Sequence, residues 1–150
     1  MELAVLVLLA SRLMTDEVHR RLADLGHGQL RPAHGFAFQF VASRGGATGV
    51  ELADHLGVTR QAAGQMVDEL ERLGYVTRQP DRSDARLRRI QLTVRGREVL
   101  ALSADLWAAQ ERDWERLIGA PGMAALRNGL GAFIDDRGGF DSPLRLRPTW

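Results

Sequence analysis

Apolar residues recur every three or four positions through the first 25 residues of the chain, which is the spacing of one face of an α-helix. Gly26 and Gly28 end the pattern, which predicts a first helix of about 23 residues and about 35 Å. Pro32 suits the first turn of a helix, so a second and shorter helix is predicted from that residue. A first helix of this length in a small protein indicates that it packs against something beyond its own domain.

Two more helical patterns lie between Thr48 and Gly74 and are joined by a tight turn at Gly57. Thr48 and Glu51 have the spacing of a capping box, in which each side chain accepts a hydrogen bond from the backbone N–H of the other residue. Thr59 has the position and the side chain of an N-cap for the second of these helices. Two short helices joined by a tight turn form a helix-turn-helix, and we interpret the second helix as a candidate recognition helix.

The period changes from helical to alternating after Gly74. The segments "YVTRQ" and "RRIQLT" are short, rich in residues that favour strands, and roughly alternating. Residues 80–86 join them and contain Pro, Asp and Ser, which are turn formers. The pattern predicts a β-hairpin with a charged tip, and a hairpin that follows a helix-turn-helix is a wing.

The C-terminal third of the chain is predicted to be helical in two parts. Thr93 suits the N-cap of a long helix over residues 94–118, and Pro121 restarts a weaker helical pattern that contains Gly129 and Gly131. The last segment, "RGGFDSPLRLRPTW", has no clear period, and we expect it to be ordered only against a partner or a neighbouring subunit. The predicted fold class is therefore mainly α with a small β-wing, a winged helix-turn-helix core flanked by long N- and C-terminal helices.

The charge of the chain is unevenly distributed. The net charge is +1, and all 20 basic side chains are arginine because the sequence contains no lysine. Residues 76–97 contain seven arginines against Asp81 and Asp84, whereas residues 98–150 have more acidic than basic side chains. A basic stripe in the middle of the chain indicates a polyanionic partner, and the planar guanidinium suits contacts with phosphate or with a groove.

Several classes of protein are disfavoured by what the sequence lacks. The absence of cysteine excludes disulfides, thiolate metal sites and cysteine nucleophiles. The longest apolar run, "LAVLVLLA", is shorter than the roughly 20 residues of a membrane span, and neither a basic segment before it nor a cleavage site after it indicates export. The glycine-rich "GGATG" lacks the Lys-Ser/Thr end of a phosphate loop, and no serine lies in a nucleophile elbow. We predict a cytoplasmic protein that is not an enzyme and carries no cofactor.

Four segments of residues 49–100 resemble the MarR family of bacterial transcriptional regulators: "ELADHLGVTRQ", "LERLGYVTR", the wing "DRSDAR", and "LTVRGR" leading into the long helix. The resemblance implies a winged-helix homodimer that binds a pseudo-palindromic DNA operator, usually as a repressor that a small-molecule effector releases. It also implies one domain over residues 1–150. Within it, residues 30–97 form the DNA-binding lobe, residues 1–28 and 98–137 the dimerisation helices, and residues 138–150 a tail.

The candidate DNA contacts lie on the recognition helix and the wing. Side chains near the start of a helix inserted in the major groove reach base edges, where Arg favours guanine and Gln favours adenine. By resemblance, the wing-tip Arg86 enters the minor groove while Asp84 braces its guanidinium. Arg88 and Arg89 point to opposite faces of a strand, so at most one of them easily faces DNA. The predicted DNA-binding residues are Thr48, Thr59, Arg60, Gln61, Gly64, Gln65, Arg82, Asp84, Arg86 and Arg88.

A ligand pocket is predicted in the cleft between the flanking helices and the winged lobe, where similar proteins bind effectors. Its candidate residues are His19, His34, Phe38 and Trp107, which are aromatic or polar residues on helices near that junction. The four histidines of the chain do not form a compact ligand motif, so no metal site is predicted. Two alternatives to the DNA-binding regulator stay open: a winged-helix interaction module that does not bind DNA, and a histidine-based metal sensor on the same scaffold.

Overall fold

The computed structural model describes residues 1–139, so the segment from Phe140 onwards, including most of the tail singled out above, lies outside the described residues. The chain is mainly helical with a small antiparallel sheet, which confirms the predicted fold class. The helices are α1 (Leu3–Leu22, followed by a π-helical turn at Ala23–His27), α2 (Pro32–Ser43), α3 (Gly49–Leu56), α4 (Arg60–Arg72) and α5 (Val94–Asp136). The strands are β1 (Ala47–Thr48), β2 (Val76–Pro80) and β3 (Arg88–Leu92).

Three threonine side chains fix where helices begin, as the sequence predicts. Thr48 Oγ1 accepts the Glu51 N–H at 3.2 Å, and the Glu51 carboxylate accepts the Thr48 N–H at 2.7 Å. Thr59 Oγ1 accepts the Ala62 N–H at 3.1 Å, which opens the recognition helix α4. Thr93 caps α5 in the same way. Gly57, with φ of 67°, makes the turn between α3 and α4 in a conformation that a side chain disfavours.

The sheet consists of the predicted hairpin and one further strand. β2 and β3 pair antiparallel with Val76 opposite Leu92 and Arg78 opposite Ile90. β1 pairs with the other edge of β3, with Ala47 opposite Ile90. Strand β1 was not predicted from the sequence, because a strand of two residues shows no alternating pattern. This strand ties the segment between α2 and α3 to the base of the wing.

The buried core lies between α2, α3, α4 and the sheet, with contributions from the ends of α1 and α5. The start of α5 packs closely on the core, since a Cβ at Gly96 would lie 2.2 Å from the Tyr75 carbonyl oxygen. From α1 only Val18 and Leu22 are buried. The largest fully buried side chains are those of Tyr75, Leu52, Leu70, His34, Val18, Val67 and Val99.

Helix α5 consists of two arms that meet at Gly119. That residue has φ of 72° and ψ of 161°, and Pro121 follows it, so the predicted restart at Pro121 is confirmed. Arg127 donates to Glu111 at 2.8 Å across this break. Sixteen residues of straight helix would span about 24 Å, so the second arm folds back along the first.

The N-terminal half of α1 exposes apolar side chains on all sides. Leu3, Leu8 and Leu13 are each about two-thirds exposed or more. Leu117 and Phe133 on the two arms of α5 are also largely exposed. Across residues 1–139, no helix combines the length and the apolar character that a membrane span requires.

Candidate nucleic-acid interface

The recognition helix α4 presents a polar face to solvent. It buries Ala63, Val67 and Leu70 against the core, which turns its opposite side outwards. Arg60, Gln61 and Gln65 are exposed on that side, within the first two turns. The cap at Thr59 leaves its hydroxyl engaged with the backbone, so Thr59 shapes the helix start and keeps the following side chains in place.

A groove runs between α4, the beginning of α3 and the wing. Five of the predicted DNA-binding residues line it, and its remaining lining residues were not predicted from the sequence. Four arginines and several apolar side chains line the groove. The lining residues are Thr48, Gly49, Val50, Arg60, Gly64, Val67, Arg78, Arg86, Leu87, Arg88 and Ile90.

Asp81, which is not among the predicted site residues, organises the wing tip. Its carboxylate accepts hydrogen bonds from the Ser83 hydroxyl at 2.5 Å, from the Ser83 N–H at 2.8 Å and from the Asp84 N–H at 3.1 Å. These bonds, with a further one from Arg89, hold the pKa of Asp81 well below its usual range. Aspartate side chains commonly accept a hydrogen bond from the backbone N–H two residues later in a turn, so the Pro-Asp-Arg-Ser stretch could have predicted this role for Asp81.

Asp84 and Arg86 are paired more loosely than the resemblance implies. Arg86 Nε lies 3.9 Å from Asp84 Oδ1, and the arginine side chain is 95% exposed. The Asp84 carboxylate instead accepts the backbone N–H of Arg86 at 3.0 Å. Asp84 therefore shapes the backbone at the tip, and Arg86 extends from it into solvent.

Arg88 and Arg89 point in different directions, as strand geometry predicts. Arg89 donates to the Gly46 carbonyl at 2.6 Å and to Asp81 at 3.3 Å, so it holds the wing against the segment that leads into β1. Arg88 is exposed and lines the groove. Arg82 is exposed at the wing tip. The available cations on this surface are thus Arg60, Arg82, Arg86 and Arg88.

Two of the four candidate pocket residues belong to the core. His34 is 0% exposed and Phe38 is 3% exposed. His34 Nδ1 accepts the Arg31 N–H at 3.1 Å, and burial, together with the charge of Arg31, lowers the pKa of His34 to about 4. Phenylalanines occur at alternate positions of α2, so the sequence pattern does not indicate which of them are buried.

The other two candidates lie at the edge of the core. His19 Nδ1 donates to the Leu30 carbonyl at 3.2 Å, and Trp107 packs against the core while partly exposed. Nothing in these contacts tests the predicted pocket. Within residues 1–139, no three or more His, Cys, Asp or Glu side chains are arranged to hold a metal ion.

Comparison with known proteins identifies similar sequences and folds. Residues 29–87 match the family model described as MarR family. Among curated proteins, none matches the chain significantly. The crystal structure of the reduced form of MarR from E. coli is 23% identical, with a TM-score of 0.75 over 89% of this chain and 97% of that one.

Two of the similar structures contain DNA. The transcriptional repressor CouR, bound to a 23-mer DNA duplex, is 27% identical, with a TM-score of 0.70 over 88% of this chain and 92% of that one. A mutant of MepR from S. aureus, bound to an oligodeoxyribonucleotide, is 17% identical, with a TM-score of 0.65 over 91% of this chain and 98% of that one. The similarity therefore extends well beyond the winged lobe to both groups of flanking helices.

Proposed function

We propose that this chain, whose residues 29–87 match the MarR family model, is a winged-helix transcription regulator of that family, which binds double-stranded operator DNA as a homodimer and acts as a repressor. The observation that carries the proposal is the arginine-lined groove between the recognition helix and the wing. The exposed guanidinium groups of Arg60, Arg86 and Arg88 lie beside an exposed polar helix, an arrangement that suits a nucleic acid, whose phosphates attract cations and whose base edges accept and donate hydrogen bonds. Such a regulator acts in the cytoplasm and is not an enzyme.

The recognition helix and the wing have different parts in this binding. The start of α4 enters the major groove, where Arg60, Gln61 and Gln65 read base edges. Arg86 enters the neighbouring minor groove, where a narrow groove concentrates negative potential. The exposure of all four side chains supports this assignment, because none of them is committed to the core of the protein.

The homodimer is supported by the apolar surfaces that the described chain leaves open. Leu6 and Leu13 on α1 are 50% and 70% exposed, and Leu117 and Phe133 on α5 are 80% and 62% exposed. A helix that is apolar on all sides is normally buried, so a second copy of the chain is the occupant we propose. A two-fold axis through these helices places two recognition helices about 34 Å apart, which is one turn of DNA and requires a pseudo-palindromic operator.

Release by a small-molecule effector is the further part of the proposal. Such an effector lowers DNA affinity only if it binds the DNA-free conformation more tightly. The junction of the flanking helices and the lobe, near His19 and Trp107, is the site we propose for it. A thermal-shift screen, followed by operator titrations with each stabilising compound, tests this. Compounds that stabilise the protein but leave operator affinity unchanged count against an effector.

The decisive experiment is a genome-wide binding footprint with the purified full-length chain, followed by a salt titration on the operator that it identifies. Removing one phosphate contact lowers the slope of log K against log salt by about 0.9. If the groove contact of Arg86 acts like phosphate neutralisation, Arg86→Ala is expected to lower the slope by about 1.8 in a dimer. Arg116→Ala is the matched control, because Arg116 is 73% exposed on α5, away from the groove. A chain that binds no genomic duplex in a salt-dependent way is instead an interaction module.

A further inference from the structure

Arg78 lines the groove, yet its guanidinium is already bound on both sides. It lies on β2, and its NH2 donates to Asp68 Oδ1 at 2.6 Å while its NH1 donates to Glu71 Oε2 at 2.6 Å. The backbone N–H of Arg78 also donates to Glu71 Oε1 at 3.1 Å. Both carboxylates belong to the recognition helix α4, so one residue of the wing makes three hydrogen bonds to that helix.

This arrangement separates Arg78 from the other arginines of the groove. The Arg78 side chain is 29% exposed, whereas the Arg86 side chain is 95% exposed. A guanidinium held by two carboxylates carries no surplus positive charge, and a phosphate would have to displace one of them. Arg78 is therefore poorly suited to a phosphate contact, although its place in the groove suggests one.

The same contacts set the distance between the recognition helix and the wing, the two elements that enter DNA in the proposed function. Asp68 and Glu71 lie three residues apart, on one side of α4, and the planar fork of Arg78 binds both at once. Glu71 is 40% and Asp68 71% exposed, so the bridge lies at the edge of the groove. The rest of β2 follows Arg78 directly and leads to the wing tip.

We propose that Arg78 is a positioning residue, which locks the wing to the recognition helix at a fixed spacing before either meets DNA. The inference rests on the DNA-binding function proposed above and assigns Arg78 no contact with DNA. A fixed spacing matters for an operator, where the helix and the wing must enter adjacent grooves together. It matters much less for random duplex, where phosphate contacts dominate and the register is free.

Two substitutions at Arg78 separate positioning from charge. Arg78→Lys keeps the charge, but a single ammonium group cannot reproduce the fork that spans Asp68 and Glu71. Arg78→Met removes the charge and keeps much of the apolar stem. The comparison variant is Arg88→Met, which removes an exposed arginine from the neighbouring strand of the same groove.

The measurement is the affinity of full-length protein for operator and for random duplex across a salt series, expressed per folded dimer. We expect both Arg78 variants to bind operator more weakly than the wild type by the same factor at every salt concentration. Their plots of log K against log salt are then parallel to that of the wild type. The ratio of operator affinity to random-duplex affinity is expected to fall. Arg88→Met is expected to lower the salt slope by about 1.8 per dimer. A merely structural role of Arg78 lowers the folded fraction but leaves affinity per folded dimer and the ratio unchanged.

Three results overturn the inference. The first is a salt slope for Arg78→Met that falls as far as that of Arg88→Met, which makes Arg78 a phosphate contact. The second is wild-type operator affinity for Arg78→Lys, which shows that charge alone suffices. The third is an unchanged ratio of the two affinities. If the wild-type chain itself binds no duplex with a salt slope, the failure lies in the proposed function and not in the role of Arg78.

Discussion

The winged lobe and the N-terminal half of α1 use apolar residues in opposite ways. Within residues 30–97, Val50, Leu87 and Val94 are the large apolar side chains that are exposed. The first 13 residues of the chain expose eight: Met1, Leu3, Val5, Leu6, Val7, Leu8, Leu9 and Leu13. The core of the lobe is thus covered once the end of α1 and the start of α5 pack on it, whereas the beginning of α1 has a surface that the described chain does not cover.

The apolar spacing along the sequence is similar in the two regions, so the difference between them is tertiary. A period of three to four reports that a helix has an apolar face, but not what covers that face. In the lobe, neighbouring helices and the sheet cover it. In α1, the lobe covers the apolar face only near Val18 and Leu22. The contrast supports the proposal that a second copy of the chain covers the beginning of α1.

The strongest test of this contrast is to place charges on α1. Leu6 and Leu13 lie seven residues apart on one face and are 50% and 70% exposed. We expect Leu6→Glu/Leu13→Glu to convert a dimer into a 16.6 kDa monomer in light scattering, because four carboxylates cannot be buried in a two-fold interface. Operator affinity is expected to fall about 100-fold or more, since the second half-site no longer binds as part of one molecule.

The control for this variant is Arg12→Gln, a polar change at a residue whose side chain is 77% exposed on the same helix. Deleting residues 1–25 is a less clean test, because it also removes Val18 and Leu22 from the core of the lobe. A double variant that remains a dimer, or a wild-type chain that is a monomer at micromolar concentration, contradicts the assignment of α1 to a dimer interface.

Sequence alone was sufficient for the elements whose signals are local. The N-caps at Thr48, Thr59 and Thr93, the hairpin, and the break before Pro121 each depend on a few neighbouring residues. These determine most of the fold and place the recognition helix and wing together. Local signals, together with the resemblance to the MarR family, also selected five residues that do line the groove.

The features that were missed depend on contacts between distant residues. β1 is a strand only because it pairs with β3, and its two residues have no pattern of their own. Arg78 binds carboxylates seven and ten positions away, so its charge gave no sign that it was already paired. Phe38 was predicted to line a pocket but is 3% exposed, because α2 is covered on more than one side.

The internal stability of the lobe gives the next test, through the buried His34. Arg31, Glu69 and His19 act on its charge, and burial lowers its pKa from 6.5 to about 4. Between these values the unfolded chain binds a proton that the folded chain does not. The free energy of unfolding therefore falls as the pH is lowered from 6.5 towards 4, by up to about 1.4 kcal/mol per pH unit from this residue.

His34→Asn isolates this contribution. Asparagine keeps an acceptor near the Arg31 N–H but does not titrate. Urea unfolding of the wild type and the variant, measured at several pH values above 4.5, is expected to give a smaller pH dependence for the variant. The window avoids the carboxylates, whose pKa values in the unfolded chain lie near 4. Equal pH dependence in the two proteins means that His34 does not remain neutral in the folded state.

The junction between the lobe and the C-terminal arm is tested at Gly96. A Cβ at this position would lie 2.2 Å from the Tyr75 carbonyl oxygen and 3.2 Å from the Tyr75 carbonyl carbon. Relieving that overlap requires the start of α5 to move away from Tyr75, the residue before β2, so Gly96→Ala is expected to destabilise the protein by about 1–3 kcal/mol. Gly129→Ala is the control in the same helix, because nothing lies within 4 Å of its Cβ. Urea unfolding measures both, and equal stability in the two variants contradicts the close packing at this junction.

The smallest expected effect concerns the outer surface of the lobe, at Gly64. This residue lies inside α4, and a Cβ there has nothing within 4 Å. The fold therefore does not require glycine, although glycine in a helix interior costs about 1 kcal/mol relative to alanine. Gly35 in α2 is equally open and provides the matched control. Both alanine variants are expected to raise the free energy of unfolding by up to about 1 kcal/mol.

Gly64 also lines the groove between the recognition helix and the wing, where DNA lies close to α4 in the proposed binding mode. We therefore expect only Gly64→Ala to weaken operator binding, even though it stabilises the protein. Weaker binding together with a gain in stability separates an external contact from a defect in folding. If Gly64→Ala binds operator as tightly as Gly35→Ala does, DNA does not approach α4 closely at this residue.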